Sequence, residues 1–409
     1  MELLKTILFI GTNKSGSSRD AIFAAKRLGF FTVVFTNNEN QIQQRDQYPD
    51  VHKMIFIDTD NLQDMREEIK RLRSKGMYIE TIVSFVDSSV LSASLLCDEF
   101  CKNHFSSRAI KLMNNKEDTR LFLEGQPYTP FFTVIKPGEE ISFETILPKF
   151  TFPVIVKSPN STGSKDVLLA EKEEQLKNHT LMLQAKDPNE SIIVEEYITG
   201  DQYLVEAVVY KEEVMIAGVI EQEITKGKRF IITGYGVMAE IPKDIKAGIE
   251  EVLHSIVKKL EIINGALHLE LRRSPNGWKL IEINPRISGG AMNKMIQAAF
   301  GFSLVEETLK LVLGERPSVV PKQKKFVFTQ YQIASEQGIL ERVTGKGKAK
   351  KSPGIVDVYV KPKKGTLLFP PLSMGHRYAY VIAAGNTMDE AKRFAKNAVN
   401  EIKFHLKKE

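Results

Sequence analysis

Residues 265–286 read Gly-Ala-Leu-His-Leu-Glu-Leu-Arg-Arg-Ser-Pro-Asn-Gly-Trp-Lys-Leu-Ile-Glu-Ile-Asn-Pro-Arg, two alternating runs joined by Ser274, Pro275, Asn276 and Gly277. Turn residues between alternating runs predict an antiparallel hairpin, and the period of two fixes which side chains share a face. Leu267, Leu269, Leu271, Ile281 and Ile283 fall on one face, and His268, Glu270, Arg272, Leu280, Glu282 and Asn284 on the other. With 275–277 as the loop, Glu270 lies opposite Glu282, His268 opposite Asn284, and Arg272 opposite Leu280. Carboxylates so placed have Cβ atoms about 5 Å apart and repel one another. A divalent cation relieves this. Two carboxylates and an amide oxygen are hard donors that suit Mg²⁺, which keeps its other positions for water and substrate phosphate. The alternative is a solvated strand face neutralised by Arg272. Leu280 speaks against that alternative, because an apolar residue on a polar face implies something apolar lying over it.

Two further segments bear on the same chemistry. Residues 152–167, Phe-Pro-Val-Ile-Val-Lys-Ser-Pro-Asn-Ser-Thr-Gly-Ser-Lys-Asp-Val, put Lys157 at the end of an apolar strand, ahead of the small residues Ser161, Thr162, Gly163 and Ser164. Small residues let backbone N–H groups approach phosphate oxygens while the lysine supplies a point charge. No Gly-Lys-Ser/Thr opens a helix, so this is not a Walker loop, and alone it reads as a surface turn. Residues 192–206, Ile-Ile-Val-Glu-Glu-Tyr-Ile-Thr-Gly-Asp-Gln-Tyr-Leu-Val-Glu, form strand, connector and strand. The connector leaves backbone donors and acceptors unpaired at one edge, as reading an adenine requires.

Around these lies an ordered alternation. Apolar runs at 6–10, 31–35, 54–57 and 81–86, with helical patterns at 21–28 and 62–74, predict a parallel α/β domain over about the first hundred residues. Its loop from Gly11 to Gly16 lacks the Gly-x-Gly-x-x-Gly spacing and no acidic residue directly ends the second strand, so a tight strand-to-helix turn is preferred to a dinucleotide site. Residues 111–124 are polar and helical, and Asp87 is placed to cap a helix over 88–100. Pro127, Pro130 and Pro137 then mark a boundary, as do Pro317, Pro321 and Lys322-Gln-Lys-Lys325 after a helix at 304–313. Middle strands are expected at 154–157, 192–195, 204–209, 214–220, 266–271 and 278–283, and a helix over 388–405 closes the chain.

In this order and spacing the three segments resemble the ATP-grasp ligases. The resemblance runs from the N-terminal α/β domain through Gly290 and more loosely to the end. It implies a mixed α/β and α+β fold: an N-terminal Rossmann-like parallel-sheet domain (1–110), a central ATP-grasp domain (111–312) with a mobile lid at about 129–200, and a small C-terminal α/β domain (313–409). It also implies that ATP phosphorylates a carboxylate and that a nucleophile attacks the acyl phosphate, with ATP and two Mg²⁺ ions as cofactors and Mn²⁺ as a substitute. Matched by position, Lys116 and Lys157 are the phosphate-contacting lysines, and 161–164 the loop over the phosphates. Glu195, Glu196, Tyr197 and Ile198 are the adenine connector, read through the backbone of Glu196 and Ile198, and Leu280 packs on the adenine. Gln202 stands where many relatives have an acid for the ribose. Glu270, Glu282 and Asn284 match the metal ligands, and Arg286 the arginine facing the transferred phosphoryl group. After it, Ile287-Ser288-Gly289-Gly290 replaces the acid and base of biotin carboxylases and is similar to the L-amino acid ligases, which join two amino acids into a dipeptide. The glycine pair implies space for an amine donor larger than alanine. His268, Arg272, Arg273, Tyr235, Ser288, Gly289, Gly290, Ser84 and Asp87 are candidates for the amino-acid side, each against a packing or capping role. The alternatives are a ligase for another small carboxylate and amine, a carboxylase, or an ATP-binding module without chemistry.

Charge adds a negative. Residues 313–409 carry 19 Lys or Arg against 8 Asp or Glu, so the basicity behind the net +6 is C-terminal. No aromatic residue lies within 345–354, which leaves the lysines there as a solvated loop without a base-stacking platform. Small-molecule partners are therefore expected, with no nucleic acid, no membrane and a homodimer as the assembly. Cys97 and Cys101, the two cysteines, sit at helical spacing, and with no signal-peptide pattern a cytoplasmic protein is expected.

Overall fold

Helices between short apolar runs force the first strands to run parallel, and that is the arrangement in the computed structural model. It describes residues 4–139, 141–160, 166–226, 230–371 and 373–407, the side chains of 224–226 and 230 excepted. Strands β1 (Leu4–Ile10), β2 (Phe31–Thr36), β3 (Lys53–Phe56) and β4 (Met77–Val83) pair in the order β3-β2-β1-β4, all parallel. Ile7 and Phe9 pack to one side with Ala21 and Ile22 of helix Ser17–Arg27. Leu8 and Ile10 pack to the other with Met65 and Leu72 of helix Leu62–Ser74 and Leu96 of helix Val90–Phe100. Burial on both faces is why these strands read as unbroken apolar runs.

The next sheet comprises β5 (Phe132–Ile135), β6 (Val154–Lys157), β7 (Val167–Ala170) and β8 (Ile192–Glu196), in the order β5-β8-β6-β7 and antiparallel. Val154, Val156 and Val194 close its core against Leu176 and Leu183 of helix Glu173–Lys186. The large sheet holds β9 (Asp201–Tyr210), β10 (Glu213–Lys226), β11 (Phe230–Val237), β12 (Asn264–Ser274), β13 (Gly277–Asn284), β14 (Phe326–Ile333), β16 (Ile355–Val360) and β18 (Arg377–Gly385), ordered β13-β12-β9-β10-β11-β14-β18-β16. The last segment therefore extends the same sheet through the β11·β14 pairing, and the three-domain division remains a proposal. A small sheet of β15 (Gly338–Thr344), β17 (Leu367–Leu368) and β19 (Lys403–Lys407) completes the chain.

Several expectations are corrected. The closing helix is Met388–Val399, and β19 follows it, because Lys403-Phe-His-Leu-Lys407 alternates with period two and pairs with β15. The helical stretch at 111–124 is two helices, Ser107–Asn114 and Lys116–Phe122, split at Asn115, whose side chain caps the second by accepting from the amides of Glu117 and Asp118. The basic run at 346–350 is a short helix rather than a loop. Cys97 is buried in its helix, Cys101 follows the end of it, and both are free thiols. Among the described residues no helix is long and apolar enough to cross a membrane.

Candidate active site

β12 and β13 form the predicted hairpin, with Glu270 opposite Glu282 and His268 opposite Asn284. Beyond Glu270 the register shifts by one, so that Leu271 faces Leu280 and Arg272 faces Lys279. Ile281 is the extra residue of this bulge. The expected placement of Leu280 on the polar face is thus corrected: it is fully buried in the apolar core with Leu269, Leu271 and Ile283, and its amide donates to Tyr128 O at 2.7 Å. It has no surface with which to pack on an adenine.

The Glu270 carboxyl is pushed up to about 7, first by burial and then by the facing Glu282. The charge of Arg272 offsets only part of this shift, and its hydrogen bonds go elsewhere. Its guanidinium donates to Ile198 O and, at 2.5 Å, to Gln202 Oε1. Gln202 Nε2 in turn donates to Glu270 Oε2 at 2.8 Å, so this amide is pinned by two residues of β12 rather than held free for a ribose. Asn284 Nδ2 lies 3.4 Å from Glu282 Oε1, and Lys116 Nζ 3.6 Å from the same oxygen. Among the described residues no group of three or more His, Cys, Asp or Glu gathers, which disfavours a fully protein-ligated centre. Two facing carboxylates and one amide suit an oxygen-loving divalent ion that keeps water or phosphate ligands. With the carboxyl of Glu270 raised from 4.5 to about 7, the folded chain binds more protons than the unfolded chain within that window, and stability falls as pH rises through it. Added Mg²⁺ is therefore expected to raise Tm more at pH 8 than at pH 5.5, and Glu270→Gln to abolish the difference. Differential scanning fluorimetry at the two pH values measures it.

Beside the carboxylates, Lys157 Nζ pairs with Glu195 Oε1 at 2.7 Å, and Arg120 Nε with the same oxygen at 2.6 Å. Arg120 Nη2 also donates to Ile281 O at 2.7 Å, tying helix Lys116–Phe122 to the bulge. Burial lowers the Lys157 ammonium to about 8 despite Glu195. The sequence reading missed Arg120, although its spacing of four from Lys116 puts both on one helix face. The amide of Glu196 is spent on Phe131 O at 2.9 Å, so it is not free to read a base as expected. The connector stays anchored through Arg272 at Ile198 and its stacking over Tyr197. Ser161, Thr162, Gly163 and Ser164 lie outside the described residues.

Arg286 leaves the end of β13 for the N-terminal sheet, where it pairs with Asp87 and donates from Nη1 to Ile287 O at 2.9 Å. Asp87 therefore does not cap the following helix. Ser84 is corrected to a structural tie: its hydroxyl donates to Ile10 O at 2.7 Å. Arg286, Asp87, Gly289 and Gly290 line a cavity of about 300 Å³ closed by Asn13, Ser15, Ser17 and Ser18 at the start of the first helix, a size at the lower end for small-molecule sites. Gly16 packs on Gly290 here, and a Cβ on Gly16 would meet Gly290 N at 3.0 Å. The glycine turn thus serves the pocket as well as the chain reversal.

Behind this wall His268 Nδ1 lies 2.6 Å from Glu206 Oε1, and Glu206 Oε2 accepts the Ser288 amide at 3.0 Å. Burial opposes the imidazolium, but the Glu206 charge outweighs it and raises the ring's proton affinity. Among the described residues the buried Ser288 Oγ has no hydrogen-bond partner. Arg273 pairs with Asp244 at the far end of the hairpin. Tyr235 is buried, its hydroxyl accepting from Arg377 Nη1 at 3.1 Å.

Residues 150–294 match the ATP-grasp domain family, and residues 330–407 match the L-amino acid ligase C-terminal domain 2. The L-arginine-specific L-amino acid ligase of Bacillus subtilis is 23% identical over 326 residues, 78% of this chain and 78% of that protein. Carnosine synthase 1 of Gallus gallus is 23% identical over 292 residues, 66% of this chain but 31% of that longer protein. The crystal structure of the L-amino acid ligase from Bacillus licheniformis superposes with a TM-score of 0.81 at 16% identity, covering 100% of both chains. With this fold and these matches, residues 150–294 belong to the ATP-grasp domain family, and the chain as a whole has the ATP-grasp fold and is similar to the L-amino acid ligases.

Proposed function

We propose that this chain is an ATP-dependent carboxylate–amine ligase that joins two L-amino acids into a dipeptide and releases ADP and phosphate. The observation that carries the reading is the convergence of Lys116, Glu282 and Glu270 on one side and Arg286, Asp87 and the 300 Å³ cavity on the other. One amino acid sits in the cavity with its carboxylate toward Arg286. A carboxylate oxygen attacks the γ-phosphorus of ATP, the bond to the β–γ bridging oxygen breaks, and ADP leaves. The second amino acid's amine attacks the acyl carbonyl and gives up a proton as phosphate departs. Lys116 and Lys157 hold phosphate oxygens, Arg286 meets the charge on the group in flight, and the Arg272-anchored connector orients the base. Glu270, Glu282 and Asn284 would hold Mg²⁺, which supplies charge neutralisation to the phosphates when bound. Residues 129–200 act as the lid, whose closure keeps water from the acyl phosphate.

Phosphate release across a matrix of amino-acid pairs, with mass spectrometry of positive wells, tests this. ATP hydrolysis that no amino-acid pair stimulates would sink it, and stimulation by another carboxylate and amine would favour the wider ligase reading. Within the matrix Gly289→Trp, which adds bulk to the wall of that cavity, should exclude bulky carboxyl donors while sparing small ones. Gly289 is the better probe than its neighbour, because both have open space for a Cβ but Gly290 adopts φ +64°, where any side chain is strained.

A further inference from the structure

The carboxylate face of the large sheet continues well past the hairpin. Arg272 lies opposite Gln202 on β9, while Tyr235 on β11 pairs with Gln222 on β10 and Thr329 on β14. At the far side of Tyr235 stands Arg377, the first residue of β18. Its guanidinium carbon lies 4.1 Å from the Tyr331 ring centroid and 5.5 Å from that of Tyr235. Nη1 donates to the Tyr235 hydroxyl at 3.1 Å and to Ile232 O at 3.4 Å, and Nε donates to Met374 O at 3.1 Å. Every one of these partners is neutral. Among the described residues Arg377 has no carboxylate partner, the groups acting on its charge being Tyr235 and Tyr331, and its hydrogen bonds leave from Nε and Nη1, none from Nη2.

A guanidinium withdrawn from water ordinarily faces a carboxylate, because desolvating its charge is costly without one. Arg120 and Arg286 obey that rule through Glu195 and Asp87. Arg377 does not, although two tyrosine faces and three backbone or hydroxyl acceptors hold it in one orientation. Tyr235 connects it to the reaction centre: its hydroxyl accepts from Arg377 Nη1 and also feels the charge of Glu270.

The ligation reaction leaves one anion unaccounted for. The carboxylate of the first amino acid becomes the acyl phosphate at Arg286, but the amine donor keeps its own α-carboxylate unchanged through both steps. The lysines and Arg286 serve phosphate, and Arg272 is committed to Ile198 and Gln202. We propose that Arg377 binds the α-carboxylate of the amine-donating amino acid through its free Nη2 edge, with Tyr331 and Tyr235 fixing the fork. The inference rests on the dipeptide reading, since it needs an amine donor that bears a carboxylate. The planar fork matches a carboxylate better than a lysine point charge would.

The test uses the full chain, with ATP, Mg²⁺ and the amino-acid pair that gives the fastest phosphate release, the amine donor offered as its free acid and as its primary amide. Wild type should prefer the acid. Arg377→Gln should raise KM for the acid by on the order of 10- to 100-fold, the size of a lost hydrogen bond to a charged group, leave KM for the amide, for ATP and for the carboxyl donor unchanged, and so erase the preference. Arg377→Lys keeps the charge without the fork and should retain part of it, which supplies the comparison if the glutamine variant fails to fold. A variant that folds and still prefers the acid as wild type does would overturn the assignment while leaving the dipeptide reading intact. A wild type that releases phosphate with no amino-acid pair would overturn both.

Discussion

Arg286→Ala is expected to lower amino-acid-dependent phosphate release by on the order of 10³-fold or more, the range for a guanidinium that meets charge developing on a transferred phosphoryl group. The structure separates this catalytic loss from a folding defect. Only 14% of the Arg286 side chain is exposed, but its partner Asp87 is 46% exposed, and ion pairs with a wet partner contribute about 0 to 1 kcal/mol. Tm should hardly move while kcat collapses. Because one wall of the cavity is the arginine itself, KM for the carboxyl donor should rise as well, whereas KM for ATP, held by other residues, should not. Arg286→Lys should recover little, since a single ammonium cannot span two oxygens of the group. Activity within about tenfold of wild type in the alanine variant would exclude Arg286 from the phosphoryl-transfer step.

The contrast between Glu270 and Arg377 explains how far the sequence could be read. The facing of Glu270 and Glu282 was legible because Ser274, Pro275, Asn276 and Gly277 fix a turn and alternation does the rest. The bulge at Ile281 carries no glycine or proline signal, and by shifting the register one place it sends Leu280 into the core. Local rules also missed the break at Asn400, where helical and strand periods meet. Glu206 and Arg377 were invisible for another reason. Glu206 meets His268 from 62 positions away and Arg377 meets Tyr235 from 142 away, and no local pattern encodes pairs formed only when distant strands enter one sheet. The continuous sheet across the supposed 312/313 boundary has the same origin, since prolines mark a loop but cannot say which sheet the next strand joins.

The same long-range logic makes Glu195 the residue whose loss should most damage stability. It sits between Arg120 and Lys157, with the three side chains 7%, 2% and 6% exposed respectively, and they come from β8, helix Lys116–Phe122 and β6. Glu195→Gln keeps the shape and removes the charge, leaving two buried cations side by side, and breaking a buried pair in this way costs about 3 to 5 kcal/mol. The loss should depend on pH in a direction set by Lys157. Its ammonium is already lowered from 10.5 to about 8, so the folded state binds fewer protons than the unfolded state between those values, and this group's contribution to stability rises with pH there and is lost as pH falls through 8. Without Glu195 the ammonium should fall further, extending the window downward. Urea melts of the variant should therefore show the largest deficit in acid, part of it recovered as Lys157 discharges. Recovery cannot be complete, because the buried Arg120 guanidinium is left facing a neutral amide. The pH at which ATP binding weakens should move down with the same titration, since a neutral Lys157 no longer attracts phosphate. A variant with unchanged melts and an unchanged pH profile for ATP would mean that the two cations do not depend on Glu195, and that the lid strands and the hairpin are held together by packing alone.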